Sequence, residues 1–162
     1  MTYLNRPEQR PSRDKAAQEI FQAIGGRMKD FTPDKFAEPN GLAEQFVKAL
    51  LADDKQAKDK LNPTQLRKIF HYVKKLQQGF RNRPKDEKLP RAEIALLSAQ
   101  LAYASGRKLI PDPFYQVVTY CLDATRCQTK EDFENVSLFL EAILAYHKYW
   151  SEQKKQDGGY DD

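Results

Sequence analysis

An all-α fold, a compact bundle of five to six helices, follows from three features of this 162-residue chain. Apolar residues recur at three- and four-residue spacing in successive segments. Proline and glycine punctuate those segments, and no run alternates apolar with polar residues as a half-buried strand does. Ser12 is placed to cap a first helix carrying Ile20, Phe21 and Ile24, and Gly25 and Gly26 supply the left-handed stop that helix ends favour. Pro33, Pro39 and Gly41 mark a turn-rich connector, after which Leu42, Phe46, Val47, Leu50 and Leu51 fall at helical spacing. Asp53 to Lys60 reads as a mixed-charge linker.

Asn62 before Pro63 is a helix start with a physical reason. The Asn side chain accepts from a free backbone N–H, and proline fills a first-turn position whose own N–H is unused. That helix runs to about Gly79. Arg81 to Pro90 is a charged surface loop, and an alanine-rich helix from Arg91 to Ser105 aligns Ile94, Leu97, Leu101 and Ala104 before Gly106 closes it. Pro111 and Pro113 open a helix with Phe114, Val117, Val118, Cys121 and Leu122. Thr129 with Asp132 resembles a capping box for the last helix, which carries Phe133, Val136, Leu140, Ile143, Leu144 and Trp150. The expected organisation is one domain over residues 1–155, with 1–12 as a flexible arm and 156–162 as a disordered acidic tail.

Composition narrows the function. Hydrophobic residues make up 40% and charged residues 31%, enough for a core on the polar side of globular. No apolar run approaches the roughly 18 residues of a membrane span. The first fifteen residues lack an apolar signal core, so a cytoplasmic protein is expected. Cys121 and Cys127 are too few for a disulfide framework or a zinc site, and suit a reducing compartment. Neither the phosphate-binding GxxxxGK[ST] loop nor GxGxxG occurs, so nucleotide hydrolysis and dinucleotide chemistry lack their usual apparatus. Adjacent carboxylates such as Asp53 and Asp54 do not share a helical face. No catalytic residue, metal site or cofactor is expected, and the chain reads as a binding protein.

The 27 basic and 23 acidic residues, net +4, are unevenly spread. Residues 61–110 hold 11 basic against 3 acidic, net +8, whereas residues 111–162 hold 5 against 10, net −5. A local surplus larger than that of the whole chain points to a face for a polyanion. Within the helix after Asn62, Leu66, Ile69, Phe70, Val73, Leu76 and Phe80 form one stripe, and Arg67, His71, Lys74, Lys75 and Gln78 lie opposite. Cations on long stems a turn apart follow a line of phosphates without reading bases. Further cations stand in the loop at Arg81, Arg83, Lys85, Lys88 and Arg91 and in the Arg107–Lys108 pair after a helix end, where they also complement the helix dipole.

Three blocks carry a resemblance: LNPTQLRKIFHYVKKL at Leu61 to Leu76, LLSAQLAYASGRKL at Leu96 to Leu109, and TKEDFENVSLFLEAILAYHKYW at Thr129 to Trp150. In this order they resemble the small subunit of the type III-A CRISPR effector, the Csm complex. The resemblance implies a non-catalytic helical bundle, present in several copies that stack head to tail beside the backbone subunits and help to hold target RNA along the guide. Its expected partners are guide RNA and target RNA, the backbone and large subunits, and copies of itself, acting in antiviral defence. The family's recurrent basic positions fall here on Arg67, Lys68 and Arg107, which become the first expected RNA contacts. Lys74, Lys75, Arg81 and Lys108 join them on the independent ground of the basic face and its flanks. Stacking needs two different surfaces, and the acidic last third is a candidate to meet the basic middle of the next copy.

Two alternatives stand beside this reading. One is the small subunit of the related type III-B complex. The other is a free-standing helical ribonuclease, since Arg67 and His71 resemble the Arg and His pair of HEPN-type ribonucleases with a spacing one residue short.

Overall fold

Helix α1 (Arg13–Ile24) begins where a side chain takes up a free backbone N–H: Ser12 Oγ accepts from Lys15 N at 3.0 Å. It ends at Gly25, whose φ of 64° is the left-handed conformation that glycine adopts without strain. The computed structural model describes residues 12–52 and 60–159. The expected arm, apart from Ser12, and most of the Asp53 to Lys60 linker lie outside the described residues.

After a 3-10 turn at Met28–Asp30 come α2 (Pro33–Phe36), α3 (Leu42–Ala52), α4 (Pro63–Gly79), α5 (Arg91–Gly106), α6 (Asp112–Leu122) and α7 (Lys130–Gly159). The described residues are all helical with no strand, as expected, but hold seven α-helices rather than five to six. The added element is α2, inside the segment expected to be a turn-rich connector. Pro33 at its first turn presets the helical φ, yet four residues are too short to register as a period. This connector is part of the core. It buries Met28, Phe31 and Phe36, and Phe31, Phe36 and Phe139 form an aromatic trio with ring centroids 4.9 to 5.3 Å apart.

Helix α7 is the mast of the bundle. It spans 30 residues and packs against α3, α4, α2 and the 3-10 turn, burying Phe133, Val136, Phe139, Leu140 and Ile143. It reaches Gly159, into the stretch 156–162 placed outside the domain by composition. Helix α1 packs on α3 and α6, and α5 packs on α6 and α4. All four residues of the apolar line expected on α5, Ile94, Leu97, Leu101 and Ala104, are buried. On α4, Leu66, Ile69 and Val73 are buried, whereas Phe70 and Leu76 are only partly so and sit against the margin of the core.

The start of α7 is held from a distance. Asp132, fully buried, accepts from the backbone N–H groups of Gln128 and Thr129 at 2.9 and 3.0 Å and from the Thr129 hydroxyl at 3.2 Å, the local cap the sequence predicts. It also accepts from the backbone N–H of Lys29 at 2.7 Å and from the Arg27 guanidinium at 2.7 Å. Asn135, one turn on, donates to Met28 O at 2.8 Å and Lys29 O at 3.2 Å. The connector and the last helix are thus stitched by polar groups that span more than a hundred residues of chain.

His147, also on α7, is 3% exposed, and its Nε2 is buried without a hydrogen-bond partner. Burial lowers its pKa from the usual 6.5, with the Leu61 backbone offsetting part of the effect. The unfolded chain therefore binds the proton more tightly than the folded one. Stability from the neutral ring is complete above about pH 6.5 and is lost as pH falls through the folded value. The unfolding free energy from urea titrations is expected to fall as pH drops below about 6.5, with a slope of at most about 1.4 kcal/mol per pH unit for one proton. His147→Gln should flatten that slope. Equal slopes in the two proteins would assign the effect to other groups.

Candidate nucleic-acid interface

Helix α4 carries the cations, and its construction follows from two local choices. Asn62 Oδ1 accepts from Gln65 N at 3.0 Å, and Pro63 stands at the first turn, so the helix begins where the sequence predicts. Its apolar side then docks on α7 and α5, which turns the opposite side to water. Arg67, Lys68, His71, Lys75 and Gln78 are exposed. The helix contains no Asp or Glu, and its cations have no carboxylate partner among the described residues. Lys74 differs from the other expected contacts. It is half-buried, with Nζ 5.8 Å from the Phe70 ring centroid, a weak cation–π arrangement that keeps its stem against apolar surface.

The remaining expected contacts lie at the two ends of α4. The backbone N–H of Asn62 donates to Leu109 O at 3.2 Å, which brings the turn after α5, with exposed Arg107 and Lys108, to the first turn of α4. Arg81 is exposed beyond the other end, 14 residues after Arg67 or about 21 Å at helical rise. Lys130 Nζ reaches the carbonyls of Arg81 and Arg83 at 2.9 Å each, tying that loop to the start of α7. The expected residues therefore form a line along one helix and its flanks, not a pocket.

The end of α5 departs from expectation. Gly106 lies within the helix, and Lys108 takes the left-handed conformation with a φ of 62°. Lys108 N–H donates to Ser105 O at 3.0 Å and Leu109 N–H to Ala104 O at 2.9 Å, closing the helix on a residue for which this backbone costs about 1 to 2 kcal/mol relative to the right-handed form. Arg107 caps the helix, with its guanidinium 5.6 Å from the Tyr103 ring centroid and Nη1 3.2 Å from the Tyr103 hydroxyl.

Two loop cations are committed elsewhere. Arg91 donates to Leu122 O at 2.8 Å, at the end of α6, and to Cys127 O at 2.9 Å, in the turn that leads to α7. Arg83 lies 3.8 Å from Glu87. Cys121 and Cys127 are both buried free thiols. Burial pushes the Cys127 thiol up to about 12 and raises Cys121 as well, so neither is a thiolate at neutral pH. Among the described residues, no three His, Cys, Asp or Glu side chains converge as a metal set. No helix among them is long and apolar enough to cross a membrane.

Sequence reasoning missed Tyr103. It is 61% exposed and lies off the buried line of α5, and the available signal was its i, i+4 relation to Arg107.

Fold and surface together define, over the described residues, an all-α protein whose α4 turns a cationic, carboxylate-free face from Arg67 to Lys75 to solvent. Residues 42–153, more than half of the chain, match the family model described as Csm2 Type III-A, and the chain belongs to that family, the small subunit of the type III-A Csm complex. The match runs from the start of α3 into α7 and includes all three sequence blocks that carry the resemblance. No curated protein and no solved structure matches the chain.

Proposed function

We propose that the chain is a non-catalytic subunit that lies along the guide and target RNA of the type III-A effector, several copies stacking beside the backbone subunits during antiviral interference in the cytoplasm. The observation that carries this reading is the outer face of α4, where Arg67, Lys68 and Lys75 are exposed on a helix without a carboxylate. A subunit that serves every guide must hold a duplex whose sequence changes, so contacts to phosphate and sugar are what it needs. Cations on a rigid helix make such contacts and leave specificity to base pairing. Exposed Glu131, Glu134 and Glu141 along α7 give a second, acidic surface that supports head-to-tail contact with the basic side of a neighbouring copy.

The test is a tagged pull-down from the native host in mild salt, with bound RNA sequenced and bound proteins identified. Short RNAs sharing a repeat-derived end, together with a set of larger partner subunits, are the expected result. Recovery of the protein without RNA or partner subunits would overturn it.

A further inference from the structure

The geometry points to Tyr103 as a stacking platform for an unpaired RNA base at the Arg107–Lys108 turn. This rests on the RNA reading above and adds to it a contact of different chemistry. Tyr103 presents a ring that is 61% exposed near the end of α5, with nothing of the bundle packed over it that would account for an aromatic residue there. The Arg107 guanidinium lies 5.6 Å from the ring centroid and donates to the hydroxyl at 3.2 Å, so a cation stands against the ring. Lys108 follows, exposed, in the same turn and adds a second cation. An aromatic face beside two cations is the combination that binds single-stranded nucleic acid: the base stacks on the ring and its phosphates meet the charges.

The position favours RNA over a protein partner. The Asn62 to Leu109 hydrogen bond sets this turn at the first turn of α4, continuous with the line that begins at Arg67. The acidic residue of α5, Glu93, stands in the first turn at the opposite end of that helix. Leu96, the other exposed large apolar residue of α5, lies two turns before Tyr103 on the same side of the helix, about 10 Å away. Stacking on Tyr103 would hold a nucleotide at the end of the α4 track whatever its identity, because every base has a π-face.

Affinity of the purified full chain for a labelled single-stranded RNA of about 20 nucleotides, against a blunt RNA duplex of the same length, at about 50 mM salt, separates the two kinds of contact. Tyr103→Leu is expected to weaken single-strand binding by about five- to a hundredfold, the loss of one base stack, while duplex binding and the salt slope stay as in the wild type. Tyr103→Phe should stay within about twofold of the wild type, because the ring alone provides the stack. Leu96→Ala, on the same helix, should change neither. If Tyr103→Leu binds both RNAs as the wild type does, the stacking inference falls, the RNA reading stands, and the ring is left to face protein. If the wild type binds neither RNA, both readings fall.

Discussion

Asp132→Ala is expected to cost about 3 to 5 kcal/mol of folding stability, read as a lower urea midpoint with α7 still able to form locally. The carboxylate is fully buried, and burial by itself would raise its pKa. The Arg27 guanidinium and the N–H groups of Gln128, Thr129 and Lys29 overcome that and hold it below the ordinary carboxylate range, so the buried group stays charged. Removing it strands a guanidinium and three backbone donors at once. Donors left unsatisfied in a buried site carry most of the cost. Arg27→Ala should cost less, because Arg27 is 27% exposed and the carboxylate keeps its backbone donors. An Asp132→Ala protein as stable as the wild type would mean that Asn135 and the Phe31, Phe36 and Phe139 cluster hold the connector to α7 without the carboxylate.

The second large effect concerns the proposed interface. The triple substitution Arg67→Ala, Lys68→Ala, Lys75→Ala should reduce the slope of log affinity for RNA against log salt by about 2 to 3, since each phosphate contact contributes roughly 0.7 to 0.9. These three side chains are exposed, so the fold should survive, as a thermal melt will report. Lys74, although expected with them from the helical face, is left in place because its half-buried stem packs at Phe70 and its removal would mix stability with binding. Binding should weaken for all sequences alike, because phosphate contacts carry no sequence information. An unchanged slope in the folded triple variant would move the RNA track to another face.

Much of the fold was legible because the signals are local. A cap such as Ser12 or Asn62 acts on an N–H three residues away, and the buried line of α5 repeats within two turns, so both are visible in a short window of sequence. The cationic face of α4 was legible for the same reason. Once Leu66, Ile69 and Val73 are buried, helical geometry sends Arg67 and His71 to the other side.

What escaped the sequence is the set of features that depend on distant residues. Arg91 sits in a run of loop cations and looks like one of them, but its guanidinium is spent on carbonyls 31 and 36 residues away. Phe70 belongs to the apolar stripe of α4, yet whether it is covered depends on what packs against that flank of the helix, and it is left half-buried. Gly106 offered the flexible backbone at the end of α5, and Lys108 took the left-handed turn instead, because the chain must deliver Leu109 to Asn62 and bury Ile110.

By itself, then, the sequence determined the helical class, where the main helices start, the basic surplus of residues 61–110 and the family. Each of these rests on spacing within a few residues or on the order of motifs along the chain. The tertiary structure alone decided that a proline-marked connector is core, that Asp132 keeps its charge in the interior, and that the Tyr103 ring is left uncovered. Burial and the pairing of charges are properties of what packs against a residue, and for these positions the decisive neighbours lie on other helices or depend on which flank those helices leave uncovered.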